Sequence, residues 1–350
     1  MRLSALLFCL APAMLAAQAA STTAARPSGV VAFVDVDVVP MTGNTVLRRQ
    51  TVIVRDGRVA QMGATGQVAA PRGATVIDGR GKYLMPGLAE MHAHIPAGNA
   101  QQQLIDDILY LYVANGITVI RGMLGAPNQL ELRRRTAAGE LLGPTILVGA
   151  PSLNGNSAPT PDAASRLVRE HKAAGYDFLK LHPGLTRAAY DAAVATSREV
   201  GITYAGHVSA DVGIMHSLAS AQSTIDHIDG YLEHAAGSSS GNLGTGAAAA
   251  RVLGNADSTR IHALAVATRA ADVWVVPTEY LWENFFSGRT AEEFARLPEM
   301  RYVPQSMRDG WANQTRQFAG SVQSANLTAH ERARFVAARR LMLRELARTG

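Results

Sequence analysis

Two histidines one residue apart, in Met91-His92-Ala93-His94, follow the run Leu84-Met85-Pro86-Gly87-Leu88. Alternate residues of a strand share a face, so both imidazoles can point at one place and hold one metal ion. Neutral imidazole suits Zn, Mn, Ni or Fe. A lone His-x-His pair is more often two unrelated side chains at a strand end, but here it does not stand alone. His207 closes the apolar run 203–206, and His227 closes 224–226. Four of the ten histidines thus end candidate strands. Lys180 ends another, Phe178-Leu179-Lys180-Leu181, in a chain with only two further lysines, Lys82 and Lys172. Burial favours the free amine of a lysine. Beside cations such an amine can take up carbon dioxide and become a carbamate, an anionic oxygen ligand able to bridge two metals. The equal alternative is a lysine that extends its amine into solvent.

These residues need elements that bring strand ends together. Candidate strands run over 88–92, 118–121, 145–148, 178–181, 203–207, 224–227 and 274–277, with helical stretches such as 163–174, 187–200 and 261–270 between them. Gly116, Gly143, Gly175 and Gly201 precede strands, where helices stop. Seven β/α alternations imply a parallel sheet with crossover helices, and an eight-unit barrel is its natural closure. The strand ends of such a barrel converge on the face that carries active sites. Thr328 and Glu331 form a capping-box signature for a last helix, and Gly350 stands where a C-cap glycine belongs. The expected fold is α/β: a TIM-like (β/α)8 barrel over 84–350 lacking strand 8 as given, preceded by a small partial β-sandwich over 28–83. Asp56-Gly57 is a hairpin signal within that first part.

Composition fits a folded globular chain. Of 350 residues 47% are hydrophobic and 17% charged, and the net charge is +5 with the basic residues scattered. Scattered cations read as solvated helix faces rather than a nucleic-acid groove. Residues 1–20 read as a signal peptide, with Arg2, an apolar run and Ala17-Gln18-Ala19; the run is too short for a membrane span. The sole cysteine, Cys9, lies inside it. The expected location is therefore exported, periplasmic or secreted. The Gly-, Ser- and Ala-rich stretch 235–250 reads as a loop.

The pattern resembles the amidohydrolase superfamily. Phe178-Leu179-Lys180-Leu181-His182-Pro183-Gly184-Leu185-Thr186, Ala205-Gly206-His207-Val208, Asp226-His227-Ile228-Asp229-Gly230-Tyr231 and Pro298-Glu299-Met300-Arg301-Tyr302-Val303-Pro304 are similar to its imidazolonepropionase-like and Xaa-Pro dipeptidase-like branch. The resemblance covers roughly residues 30–350. It implies that His92 and His94 bind one divalent metal, His207 and His227 a second, and Lys180 bridges both as its carbamate. Zinc is the first expectation, with manganese or cobalt as substitutes. It also implies hydrolysis of a C–N bond in a small molecule or dipeptide, with no nucleic-acid or membrane partner; a homo-oligomer is compatible. A one-metal imidazolonepropionase-like site, or a truncated non-catalytic remnant, are the alternatives. The family's strand-8 aspartate has no counterpart here: Asp257, Asp272 and Asp309 read as loop or helix-end residues, and Glu279 is a weak substitute.

Other side chains stand near these positions. His182, two residues after Lys180, faces the same side and can line the pocket. Tyr231 can hydrogen-bond a substrate carboxylate. Arg121 reads as an exposed ion-pair partner, and Asn154 and Asn156 as either pocket or turn residues. His171, His216, His234, His262 and His330 read as structural or solvent-facing.

Overall fold

A computed structural model describes residues 29–350 except 97–98 and 239–246. The signal-peptide expectation at 1–20 and the middle of the 235–250 stretch lie outside the described residues. The chain divides into two compact units, one built from residues up to 38 together with 46–84, the other from 39–45 together with 85–350.

The first unit is one five-stranded sheet. Its strands are β1 (Val30–Val38), β2 (Leu47–Arg55), β3 (Arg58–Ala64), β4 (Thr75–Asp78) and β5 (Tyr83–Leu84). β3, β2, β1 and β4 lie in that order, β5 also pairs with β1, and β1–β4 is parallel. The β2–β3 hairpin turns at Asp56-Gly57, where both residues have positive φ, as the tight primed turn requires. Neighbours Val52 and Ile53 pack into clusters on opposite faces, the first with Val36 and Val38, the second with Ala32 and Val68. The expected sandwich is seen only as this single sheet among the described residues.

The second unit alternates strands and helices. Its strands are β6 (Leu88–Ala93), β7 (Ile117–Gly122), β8 (Thr145–Val148), β9 (Phe178–Leu181), β10 (Thr203–Gly206), β11 (Thr224–Asp226) and β12 (Trp274–Val276). They are parallel and adjacent in chain order, with ladders joining β6 to β8 and β9 to β12. Single bridges, Gly149 with Phe178 and Leu153 with Leu181, connect the two groups. The crossovers are α1 (Gln102–Ala114), α2 (Pro127–Ala138), α3 (Pro161–Ala174), α4 (Arg187–Val200), α5 (Ile214–Ala219), and α6 (Tyr231–Ala235), α7 (Ala249–Leu253) and α8 (Ser258–Ala270) together. After β12 come α9 (Glu279–Phe286), α10 (Ala291–Ala295), a 3₁₀ turn at Pro298–Tyr302, α11 (Gln305–Ser324) and α12 (Ala329–Thr349).

Local chemistry explains the boundaries. The Thr160 and Thr186 hydroxyls accept from the third backbone N–H of α3 and α4, and Thr328 with Glu331 closes a full capping box on α12. Gly175 and Gly201 end α3 and α4 in the left-handed conformation. The helix before β8 instead stops at Gly139, not at the expected Gly143. The core divides at mid-sheet: Ile120, Ile146, Val148, Leu179 and Leu181 pack under the first helices, while Ile225, Leu264, Phe335 and Met342 form a second cluster.

The sheet curls strongly. β6 and β11 are five strands apart, about 24 Å in a flat sheet at the usual strand spacing. Yet His92 Nδ1 on β6 lies 3.0 Å from Asp226 Oδ2 on β11. No ladder joins β12 to β6 among the described residues.

Candidate active site

The curl gathers five imidazoles from four strand ends. Along their ring centroids His94–His92 is 5.1 Å, His92–His227 4.5 Å, His227–His207 4.6 Å and His207–His182 4.8 Å. The four histidines expected to bind metal, and His182 beside them, therefore share one place. His171, His216 and His262 lie elsewhere: His171 packs on Tyr176, His216 pairs with Asp191, and His262 pairs with Glu345.

Beneath the rings is a buried polar hub. Lys180 and Asp226 are both 0% exposed, and Lys180 Nζ donates to Asp226 Oδ2 at 3.2 Å. The same oxygen meets His92 Nδ1, while Asp226 Oδ1 accepts from the Thr224 hydroxyl at 3.0 Å. Thr224 in turn accepts from Arg121 Nη2 at 2.6 Å. Arg121 is thus buried rather than in an exposed ion pair, with its guanidinium 4.7 Å over the Phe178 ring. Burial pushes the Asp226 carboxyl up, but the His92 hydrogen bond and the charges of Lys180 and Arg121 outweigh it and hold it well below the usual range. Burial lowers the Lys180 ammonium despite the opposing pull of Asp226.

Three of the imidazoles, His94, His182 and His227, are pushed toward the neutral form. Burial, the neighbouring rings and Lys180 press His94 to about 4 and His182 to about 3, and burial with the adjacent rings presses His227 to about 2. Besides His92, three rings have a partner at Nδ1. His207 Nδ1 is 2.6 Å from Asp229 Oδ2, and His182 Nδ1 contacts the Ser152 hydroxyl. His227 Nδ1 is 2.7 Å from Thr278 Oγ1, whose own proton goes to the Pro277 carbonyl. An acceptor at Nδ1 fixes the proton there and leaves the Nε2 lone pair for a ligand. Neutral, oriented imidazoles suit a borderline divalent metal. As placed, no three His, Cys, Asp or Glu side chains among the described residues converge on one ion. The chemistry of the donor set, imidazoles with a buried lysine among them, fits such a metal.

Gly206 makes room for this hub. Its φ is +126°, and a Cβ there would strike the Leu181 carbonyl oxygen and lie 3.1 Å from Lys180 Cδ.

Several expectations need correction. Tyr231 is 0% exposed and its hydroxyl pairs with Thr268 Oγ1 at 2.8 Å inside the second core cluster, so it offers nothing to a substrate. The helical rise right after Gly230 turns it inward. Asn154 is spent on its own loop, its Oδ1 accepting from the Asn156 and Ser157 N–H groups, while the Asn156 side chain has no part in the ring cluster. Glu279, already a weak substitute for the family's aspartate, is paired with Arg339 at 2.9 Å. Asp226 and Asp229 were overlooked: both flank His227 in the sequence, and an Asp-His-x-Asp run at a strand end was the available signal.

No family model matches the chain. It is 31% identical over 99 residues to a dihydroorotase of Anaeromyxobacter dehalogenans (strain 2CP-C), covering 26% of this chain and 22% of that protein. It is 34% identical over 116 residues to an imidazolonepropionase of Stenotrophomonas maltophilia (strain R551-3), covering 30% and 28%. The matches thus span about a quarter of these relatives' length. Among solved structures, a bottromycin amidohydrolase aligns over 94% of this chain and 68% of its own, with a TM-score of 0.61 and 23% identity. A Xaa-Pro dipeptidase with bound methionine aligns over 92% and 84%, with a TM-score of 0.55 and 15% identity. At such identities these two likenesses speak to the fold.

Proposed function

We propose that the chain belongs to the imidazolonepropionase-like and Xaa-Pro dipeptidase-like branch of the amidohydrolase superfamily and is a metal-dependent hydrolase of C–N bonds in small amides, cyclic amides or dipeptides. The observation that carries this reading is the row of five imidazoles, drawn from four strand ends, beside a wholly buried lysine. In it the strands and helices of 85–350 belong to a TIM-like barrel and the sheet of 30–38 and 46–84 to a β-sandwich. His92 and His94 hold one divalent ion and His207 and His227 another, with zinc first in order and manganese or cobalt as substitutes. Lys180, as a carbamate, would supply them an anionic oxygen ligand. Bound metals supply a nucleophile from water at neutral pH and Lewis acidity toward the scissile carbonyl.

The chain's own residues do the rest. Asp226 and Asp229 hold the protons on the Nδ1 atoms of His92 and His207, and Thr278 accepts that of His227, so each ring presents Nε2. His182 lines the same place and, kept neutral by burial and by Lys180, can hydrogen-bond a substrate there.

One observation favours a second reading. Lys180 is occupied by Asp226, which suits a one-metal site on His92 and His94 in the manner of an imidazolonepropionase. Elemental analysis of the purified chain, with amide and dipeptide hydrolysis assays on the same sample, separates the two. Two equivalents of metal support the binuclear reading and one supports the alternative. Absence of metal both from this chain and from a version extended by a further strand would overturn both.

A further inference from the structure

Helix α12 reaches the strand ends through one side chain. Arg339 is 4% exposed, and it follows Phe335 and precedes Met342 on the buried face of that helix. Its Nε lies 3.0 Å and its Nη2 2.9 Å from Glu279 Oε2. Both Nη atoms donate to the His227 carbonyl at 3.2 Å, and Nη2 also to the Pro277 carbonyl at 3.3 Å. The guanidinium carbon sits 4.7 Å over the Trp282 ring and 5.8 Å over Phe335. A planar fork of five donors can serve a carboxylate and two carbonyls at once while stacking on aromatic rings; an ammonium cannot.

The two carbonyls are not arbitrary. His227, Ile228 and Thr278 have φ of 61°, 55° and 49°. The left-handed region is costly for L-residues, most of all for β-branched ones, and persists only where the surroundings over-determine it. Arg339 ties the peptide that follows His227 to the peptide that precedes Thr278. Those two residues are also joined by their side chains, His227 Nδ1 to Thr278 Oγ1. The backbone turn at 227–228 sets where the His227 ring points.

We propose that Arg339 is a positioning residue for His227, fixing its left-handed backbone, and through it the ring, from outside the site. The proposal rests on His227 being a metal ligand only for its effect on metal binding; the effect on the ring does not depend on metal. A merely structural Arg339 would hold α12 in place and leave the ring alone.

The test uses the full chain, metal-free and then titrated with Zn²⁺ alone. Long-range ¹H–¹⁵N imidazole spectra, with His227 assigned by His227→Gln, read the ring's tautomer and environment. Arg339→Lys and Arg339→Met should shift the His227 signals while leaving those of His171 and His330 in place, in the order Met over Lys. Zn²⁺ affinity of the folded fraction should fall about 10–100-fold, as losses of outer partners of metal ligands do. Glu279→Gln, which keeps the fork on both carbonyls, should move the His227 signals least. Unchanged His227 signals in a folded Arg339→Lys would overturn the proposal; should Arg339→Met fail to fold, the lysine variant still decides. If the parent binds no Zn²⁺ yet the ring signals move, the metal reading fails and the positioning role stands.

Discussion

Lys180 Nζ and Asp226 Oδ2 form a 3.2 Å ion pair in which neither side chain has any exposed surface. Asp226 also serves His92 and, through Thr224, faces Arg121. Removing one member of a buried pair leaves its partner's charge without compensation, at a cost of about 3–5 kcal/mol. Asp226→Ala should therefore lose that much in denaturant unfolding of the metal-free chain. A loss below about 1 kcal/mol would mean that Lys180 is neutral or has another partner.

Lys180→Ala separates the metal readings. Under the binuclear reading the variant loses metal and hydrolysis together while far-UV circular dichroism is retained. A variant that still carries two ions per chain would remove the carbamate from the account.

Acid should destabilise the metal-free chain early. His182 and His227 titrate near 3 and 2 in the folded protein against an ordinary 6.5. Between those values the unfolded chain binds more protons, so stability is full above about 6.5 and declines as pH falls toward the folded values. The depressed Asp226 carboxyl adds a loss of the same sign at lower pH, below its ordinary 3.8. Urea midpoints measured from pH 7.5 to 4.5 should fall steadily. His182→Gln should flatten the slope, and a profile identical to the parent's would rule out that histidine as a contributor.

Tyr231→Phe tests the corrected role. Losing one internal hydrogen bond should cost about 1 kcal/mol. Whatever substrate is turned over, KM should stay within twofold, because the hydroxyl lies on Thr268 in the core. A large KM effect with unchanged stability would return Tyr231 to the site.

Much of the site was legible because its signals are local. A histidine that ends a short apolar run is visible in sequence, and His92, His94, His207 and His227 do meet. The parallel β/α order was equally readable from alternation and helix stops, as at Gly175 and Gly201. What escaped depends on contacts between distant segments. Arg121 reads as an exposed cation until Thr224, 103 residues on, covers it. Tyr231 follows a glycine in a turn-like run and gives no sign that a short helix will rotate it onto Thr268. The pairing of Lys180 with Asp226 reaches across β10, which lies between their strands, and depends on which way each side chain points.

The consecutive strand order has a kinetic consequence. In the 85–350 unit each strand lies beside the one made just before or after it, so its sheet can grow one crossover at a time, by comparatively local closures, which are fast. The centre is the opposite: the His92–Asp226 contact closes over 134 residues. Pairing can run ahead while that contact waits for the whole curl. In a refolding experiment backbone signals should therefore recover before the ability to capture Zn²⁺, and the interval between them would time the closing of the curl.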